Sequence, residues 1–323
     1  LKALLMLRDA FYEANPNLIQ DIRGLGVQLT SLYTDNGISK KDLLKQVENV
    51  DIIVVAVVRI DKELIDHARN LKYILKFGAG YDNIDVAYAQ QKGITVTNAL
   101  GQNASSAADL AFGLMLAAAR SIPFKDKEIK EKHWELSVGN EMEGKRLGII
   151  GFGAIGKAIA KRATGFDMKT VAFGNYKDYE IADKLQVQFV ELEELLKTSD
   201  FIVLSTTIHD KNRQMINRDS LRLMKKTAFL INVSRGGLVN EHDLIEALKQ
   251  NVIRGAALDV FETEPTTGEL AYLPNVVATP HIGGATVEAV RRTGQVTSDN
   301  IARFIKGEEL RYVIPPTSTK STI

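Results

Sequence analysis

The 323-residue chain contains no cysteine, so disulfide staples and thiolate metal sites are excluded, and the redox compartment is left unstated by that feature. It also lacks an excess of charge of either sign: 41 Lys and Arg stand against 40 Asp and Glu. No broad basic surface is therefore expected to attract nucleic acid or anionic lipid. No apolar run reaches the roughly 18 residues of a membrane span, and no charged-then-apolar leader opens the sequence at Leu1. A cytoplasmic location is the default expectation. Internal repeats are missing too, and the one low-complexity tract is the polar tail "PPTSTKSTI", expected to fray.

What is present is the balance of a globular protein, 45% hydrophobic and 25% charged, with length for two ordinary domains. Short apolar runs alternate with segments of helical period. Residues 51–58, 72–80, 94–99, 146–153, 169–174, 200–206, 227–234, 255–261 and 275–280 read as strands. Most are apolar on both faces, as a parallel sheet covered by helices on either side requires. The pattern predicts a doubly wound α/β fold. Between the early and late strands, "ASSAADLAFGLMLAAAR" (104–120) is a helix apolar nearly all round, hence buried. The charge run at 125–136 reads as the solvated face of a further helix.

Chemistry first shows in "GFGAIG", where Gly151, Gly153 and Gly156 have the GxGxxG spacing. The stretch follows an apolar strand and opens the helix "AIGKAIAKRA", so the turn offers free helix amides to a pyrophosphate. Gly151 permits the tight turn, Gly153 lets phosphates approach the backbone, and Gly156 lets helix pack on strand. A dinucleotide site usually continues with a carboxylate about 20 positions on, which holds the adenosine ribose. Here that place carries Gly174 and Asn175, with Lys177 following. Without the carboxylate nothing repels a 2′-phosphate, and Lys177 could attract one; as a bland alternative it is a solvated loop lysine.

Three later strands each end in a polar side chain. Arg235 follows "TAFLINVS", Asp259, Glu262 and Glu264 stand in "LDVFETEP" at the end of the next strand, and His281 follows "NVVATP" in "TPHIGGAT". Open α/β sheets bind ligands at the carboxyl ends of their strands. Singly, these residues are explained as a surface arginine, turn-capping acids and a core histidine; together on one sheet edge they suggest a site. Imidazole titrates near neutral pH and suits proton transfer to a carbonyl oxygen, and a carboxylate beside it would favour its protonated form. Arg235 presents a planar fork to a carboxylate. The glycines after His281, Gly283 among them, leave room for a flat ring to come close.

Through "GAGYDNID", "VTNALGQNASSAAD", "GFGAIG", "NVSRGGLVNE", "LDVFETEP" and "TPHIGGAT", nearly the whole chain resembles the D-isomer-specific 2-hydroxyacid dehydrogenases, a family that includes phosphoglycerate, glyoxylate and hydroxypyruvate reductases. The resemblance implies an oxidoreductase that moves a hydride between NAD or NADP and a 2-keto or D-2-hydroxy acid, with Arg235, Glu264 and His281 as the catalytic set. It implies cofactor contacts from Gly151, Gly153, Ala154, Ile155, Gly156, Gly174, Asn175, Lys177, Thr206, Thr207, Val233, Ser234, Asp259 and Gly283, with Asp259 at the nicotinamide end. The substrate carboxylate would lie on the backbone of Gly78, Ala79 and Gly80, with Arg59 near its far end and Arg235 at the carbonyl. No metal is implied, and Asn240 in "NEHDL" reads as a helix N-cap rather than His242 as a metal ligand.

The same resemblance implies two doubly wound parallel-sheet domains, a Rossmann nucleotide domain (101–284) inserted into a flavodoxin-like substrate domain (1–100 and 285–323), with hinge helices near 100–120 and 285–305. Closure of a cleft between them would exclude water. It also implies a homodimer to which residues 110–145 contribute. The chain departs from the family pattern at Thr207 and Asn212, where Pro and Thr are usual. Two alternatives stay open: an NAD(H)-sensing binding protein of corepressor type on the same fold, and another dehydrogenase such as a formate dehydrogenase. Which keto acid is reduced is not legible.

Overall fold

Residues 1–316 are described in a computed structural model; the end of the polar tail lies outside the described residues. The chain divides into two units, one made of Leu1–Asn103 with the stretch from Gly284 onward and the other of Ala104–Gly283. In the first unit, strands β1 (Lys2–Leu7), β2 (Gln28–Tyr33), β3 (Ile52–Val55), β4 (Tyr73–Lys76) and β5 (Thr95–Thr97) form a sheet in the order β2-β1-β3-β4-β5. Every pairing is parallel. This is the flavodoxin-like order. The strands alternate between two cores: Leu4, Met6, Ile53 and Val55 face one, Ala3, Leu5, Ile52 and Val54 the other. The helix Val287–Lys306 brings Val290 and Ile301 to the second of these cores, and Phe304 stacks on Tyr73 at 5.1 Å.

In the second unit, β6 (Arg146–Ile150), β7 (Lys169–Phe173), β8 (Val187–Phe189), β9 (Phe201–Leu204), β10 (Phe229–Asn232), β11 (Gly255–Leu258) and β12 (Val276–Ala278) form a parallel sheet in the order β12-β11-β10-β9-β6-β7-β8. Strand order reverses between β6 and β9, the switch point at which doubly wound sheets bind nucleotides. Period-two alternation again fills both faces: Phe201, Val203, Phe229 and Ile231 on one side, Ile202, Leu204 and Leu230 on the other. That double burial explains why the runs read as continuously apolar.

The helix at Ala104–Arg120 forms as the sequence predicts and buries Ala108, Ala111, Phe112 and Met115. Its apolar character is not all round, because Ser105, Asp109 and Gly113, four residues apart, are exposed. The charge run at 125–136 is only partly helical. The helix Ile122–Lys130 stops, and residues 131–143 carry no regular element beyond turns. Consecutive i to i+4 ion pairs, Lys127 with Glu131 and Lys130 with Asp126, support the helix up to that end. Strands β1, β2 and β8 are additions to those read from the sequence. Among the described residues no single helix is long and apolar enough to cross a membrane.

Candidate active site

The glycine loop lies between β6 and the helix Ala154–Ala163. Gly151 has φ +101°, and a Cβ there would stand 2.7 Å from the backbone of Thr206. At Gly156 a Cβ would stand 2.1 Å from the Gly151 carbonyl oxygen. Both glycines are therefore required by the protein's own packing. Gly153 is different: nothing lies within 4 Å of a Cβ built on it. Gly153 and Ala154 are exposed, and no side chain caps the helix that follows. Uncapped amides beside open space form a cradle fit for a pyrophosphate. Ser205 at the end of β9 donates its hydroxyl to the Gly151 carbonyl at 2.7 Å and closes the loop from below.

Past β7, Gly174 abuts this loop, with a Cβ position 3.5 Å from the Phe152 nitrogen. Asn175, Tyr176 and Lys177 are exposed. No carboxylate stands at Gly174 or Asn175, where the turn begins. Asp178 stands at its end, but it is committed elsewhere: it caps the helix Tyr179–Lys184 through the Ile181 amide and forms an ion pair with Lys157. The Lys157 hydrogen bond, chiefly, holds the Asp178 carboxyl below the usual carboxylate range.

At the carboxyl ends of β10, β11 and β12 the structure gathers the side chains the sequence singled out. His281 Nδ1 is 2.7 Å from Glu264 Oε2. The other carboxylate oxygen of Glu264 accepts the Phe261 amide at 3.1 Å, which fixes its orientation. Burial pushes the Glu264 carboxyl up, but the hydrogen bond with His281, the charge of an imidazolium there, the Phe261 amide and the Arg235 charge outweigh it, and the net shift is downward. Glu264 is thus ionised at neutral pH and accepts an Nδ1 proton, leaving Nε2 as the imidazole nitrogen for exchange.

His281 adopts φ +54°, a left-handed conformation uncommon for a side chain with a Cβ. Its amide donates to the Asp259 carbonyl at 2.8 Å. Asp259 is buried, with 1% exposure, and its carboxylate accepts the Thr279 hydroxyl at 2.6 Å and the amides of Ile282 and Gly283, each at 2.8 Å. The carboxylate expected at the nicotinamide end is therefore occupied with the turn that carries the histidine.

Arg235 lies just beyond Val233 and Ser234 at the end of β10, where its Nη1 donates to the Ser234 carbonyl at 2.8 Å. Buried Asn232, which sequence reasoning passed over, accepts the Ser234 amide at 3.0 Å and donates to the Arg235 carbonyl at 2.9 Å. The available signal was a polar side chain closing an otherwise apolar strand. Ser234 also donates to the Thr206 carbonyl. Gly236 packs so closely that a Cβ would stand 1.9 Å from the Phe261 carbonyl carbon. The arginine-bearing and glutamate-bearing segments are thus in backbone contact. Thr207 is exposed; Asn212 donates to its carbonyl at 2.8 Å and accepts the His209 amide at 2.7 Å, so these departures from the family close their own loop. Asn240 accepts the Asp243 amide at 3.0 Å as the N-cap of Glu241–Lys249. Val233 is buried behind Ser234.

In the first unit, Gly78 has φ +148°, Asn98 donates to the Ala79 carbonyl at 2.7 Å, and the Ala99 amide donates to the Gly78 carbonyl at 2.9 Å. These bonds fix the Gly78–Ala79–Gly80 backbone at the end of β4. Arg59 is exposed after β3.

With this geometry in hand, comparison with known proteins gives a family. The model described as "D-isomer specific 2-hydroxyacid dehydrogenase, NAD binding domain" matches residues 112–283. The chain belongs to the D-isomer-specific 2-hydroxyacid dehydrogenases. A glyoxylate reductase from Thermococcus litoralis is 44% identical over 85% of this chain and 85% of its own length. A D-3-phosphoglycerate dehydrogenase from Methanocaldococcus jannaschii is 41% identical over 86% of this chain, which spans 54% of that longer protein. A solved structure from Thermus thermophilus aligns with TM-score 0.88 and 33% identity, covering 97% of this chain and 100% of that one. An acyclic imino acid reductase in complex with NADPH and D-arginine aligns at 0.86 with 27% identity, over 98% and 100% of the two chains. A D-lactate dehydrogenase from Aquifex aeolicus complexed with NAD and lactic acid aligns at 0.83 with 26% identity, over 95% and 96%.

Proposed function

We propose that this chain reduces a small 2-keto acid to the D-2-hydroxy acid, and catalyses the reverse oxidation, with a nicotinamide cofactor. The observation that carries the reading is the 2.7 Å pair of His281 and Glu264 at the carboxyl edge of a sheet whose switch point also holds the glycine loop. A bound nicotinamide would supply or accept the hydride. His281 gives a proton from Nε2 to the carbonyl oxygen in reduction and recovers it in oxidation. Glu264 keeps the ring oriented and stabilises its protonated form. Arg235 binds the carboxylate and polarises the neighbouring carbonyl. The backbone amides of Gly78, Ala79 and Gly80 at the end of β4 are suited to a carboxylate, and the exposed Arg59 to a larger acidic substrate. The glyoxylate reductase and D-lactate dehydrogenase among the relatives support a short acid.

The reading extends to three finer points. Both NADH and NADPH are accepted, because Gly174 and Asn175 stand in place of a carboxylate that would repel a 2′-phosphate. The protein works as a homodimer, for which the strongly exposed Trp134, Leu136 and Val138 of the irregular stretch are suited contacts. The cytoplasm, where nicotinamide cofactors are pooled, is its location.

Mixing the protein with NADH and a panel of glyoxylate, hydroxypyruvate, pyruvate and bulkier keto acids, followed at the absorbance of reduced nicotinamide, tests the activity. Turnover should appear with at least one acid and fall about 100-fold or more in His281→Ala. Cofactor binding without turnover on any acid would favour a sensing role instead. Sedimentation of the same sample reads the dimer.

A further inference from the structure

Against the turn after β7 stands a cationic group that the glycine motif does not explain. Lys157 directly follows Gly156 in the first turn of Ala154–Ala163. Its ammonium pairs with Asp178 and lies 5.7 Å from the ring centroid of Tyr176. Lys157 and Asp178 side chains are only 29% and 19% exposed, so the pair is held in place rather than waving in solvent. Gly174 joins this turn to the glycine loop at van der Waals distance. The end of this strand is where a doubly wound fold receives the adenosine ribose. Lys177, on which sequence reasoning relied, has neither hydrogen-bond nor ion-pair partner among the described residues and would have to be immobilised on binding.

We propose that Lys157 is the side chain that accepts the 2′-phosphate of an NADP-type cofactor, and that Asp178, by holding Lys157 in an ion pair, sets how strongly the phosphate is preferred. The proposal rests on the reading that the Gly151–Gly156 loop binds a dinucleotide. In the cofactor-free protein the two charges cancel, so the ribose end neither repels nor strongly attracts a phosphate. A 2′-phosphate competes with Asp178 for an ammonium already positioned beside the turn. Preorganisation makes Lys157 a stronger partner than a mobile lysine of the same charge. Tyr176, 70% exposed, flanks the ammonium and gives it a second, uncharged contact.

Three variants separate the possibilities: Lys157→Gln, Asp178→Asn and Lys177→Gln. Asparagine is as good an N-cap as aspartate, so Asp178→Asn removes the charge while keeping the helix Tyr179–Lys184 capped. Dissociation constants for NADH and NADPH are measured by titration calorimetry on the substrate-free protein, with circular dichroism as the check on folding. Lys157→Gln should weaken NADPH about tenfold, the scale of one charge-assisted hydrogen bond, and leave NADH within about twofold. Asp178→Asn should tighten NADPH relative to NADH by a similar factor. Equal weakening of both cofactors in Lys157→Gln would reduce Lys157 to a pin for the turn and overturn the proposal. So would a NADPH-selective loss confined to Lys177→Gln. Wild-type protein that binds neither cofactor would overturn the dinucleotide reading itself, and this proposal with it.

Discussion

The carboxylate of Asp259 accepts the Gly283 amide at 2.8 Å, and a Cβ on Gly283 would stand 3.0 Å from that same oxygen. A buried acid at the end of β11 and a glycine after β12 therefore define each other, with His281 suspended between them. The turn is built from the acid outward.

Asp259→Asn tests this arrangement. One carboxylate oxygen survives in the amide, but the other becomes an NH2 group that faces either the Gly283 amide or the pair formed by Thr279 and Ile282, donor against donor. A buried unsatisfied donor costs about 1–3 kcal/mol, so denaturant unfolding should show a loss of that size. Turnover should fall by more than the stability loss explains, because His281 is released from its position. Unchanged stability would mean that the turn holds without the acid.

Glu264→Gln should lower the turnover of keto-acid reduction. The carboxylate accepts the Nδ1 proton at 2.7 Å, and a glutamine amide, which can turn its NH2 toward Nδ1, holds the ring and its tautomer less firmly, so kcat should fall about tenfold or more with KM little changed. Stability follows a second rule. Glu264 titrates below its ordinary value in the folded protein, so its contribution is present above the unfolded-state value of roughly 4.3 and is lost as pH falls through the lowered one. The variant should lose that part of the acid sensitivity. Steady-state turnover and acid unfolding of the two proteins, run side by side, decide both points; unchanged turnover would remove Glu264 from proton transfer.

The three glycines of the loop should separate by role. Gly153→Ala adds a methyl to open space, so thermal unfolding should be nearly unchanged while NADH affinity falls, because the methyl enters the cradle. Gly156→Ala drives a Cβ against the Gly151 carbonyl oxygen and should destabilise the fold by about 1–3 kcal/mol or more. Calorimetric melting with and without NADH reads both effects. A Gly153→Ala protein that binds NADH normally would show the cradle to lie elsewhere.

Most of the architecture was legible because the central strands are apolar on both faces, and the strands β10, β11 and β12 are each followed closely by a polar residue. That is why Arg235, Glu264 and His281 could be read as neighbours before any coordinate. Strand β1, "KALLML", is rich in residues that favour helix as readily as strand, and β8 is three residues at a sheet edge, so neither has a distinct periodicity. The functional details that escaped are partnerships between distant residues. Lys157 and Asp178 are 21 positions apart, and nothing local says that one neutralises the other. Likewise the commitment of Asp259 to the Thr279–Gly283 turn depends on β11 and β12 lying side by side.

The irregular stretch after Lys130 has a practical consequence for spectroscopy. It carries the chain's one tryptophan, Trp134, at 90% exposure. Indole emission therefore reports almost nothing about the packing of either sheet, and an unfolding curve recorded by it would miss the loss of both cores. The same emission is well suited to another use: a blue shift on raising the protein concentration would register another surface closing over that segment, with no label introduced.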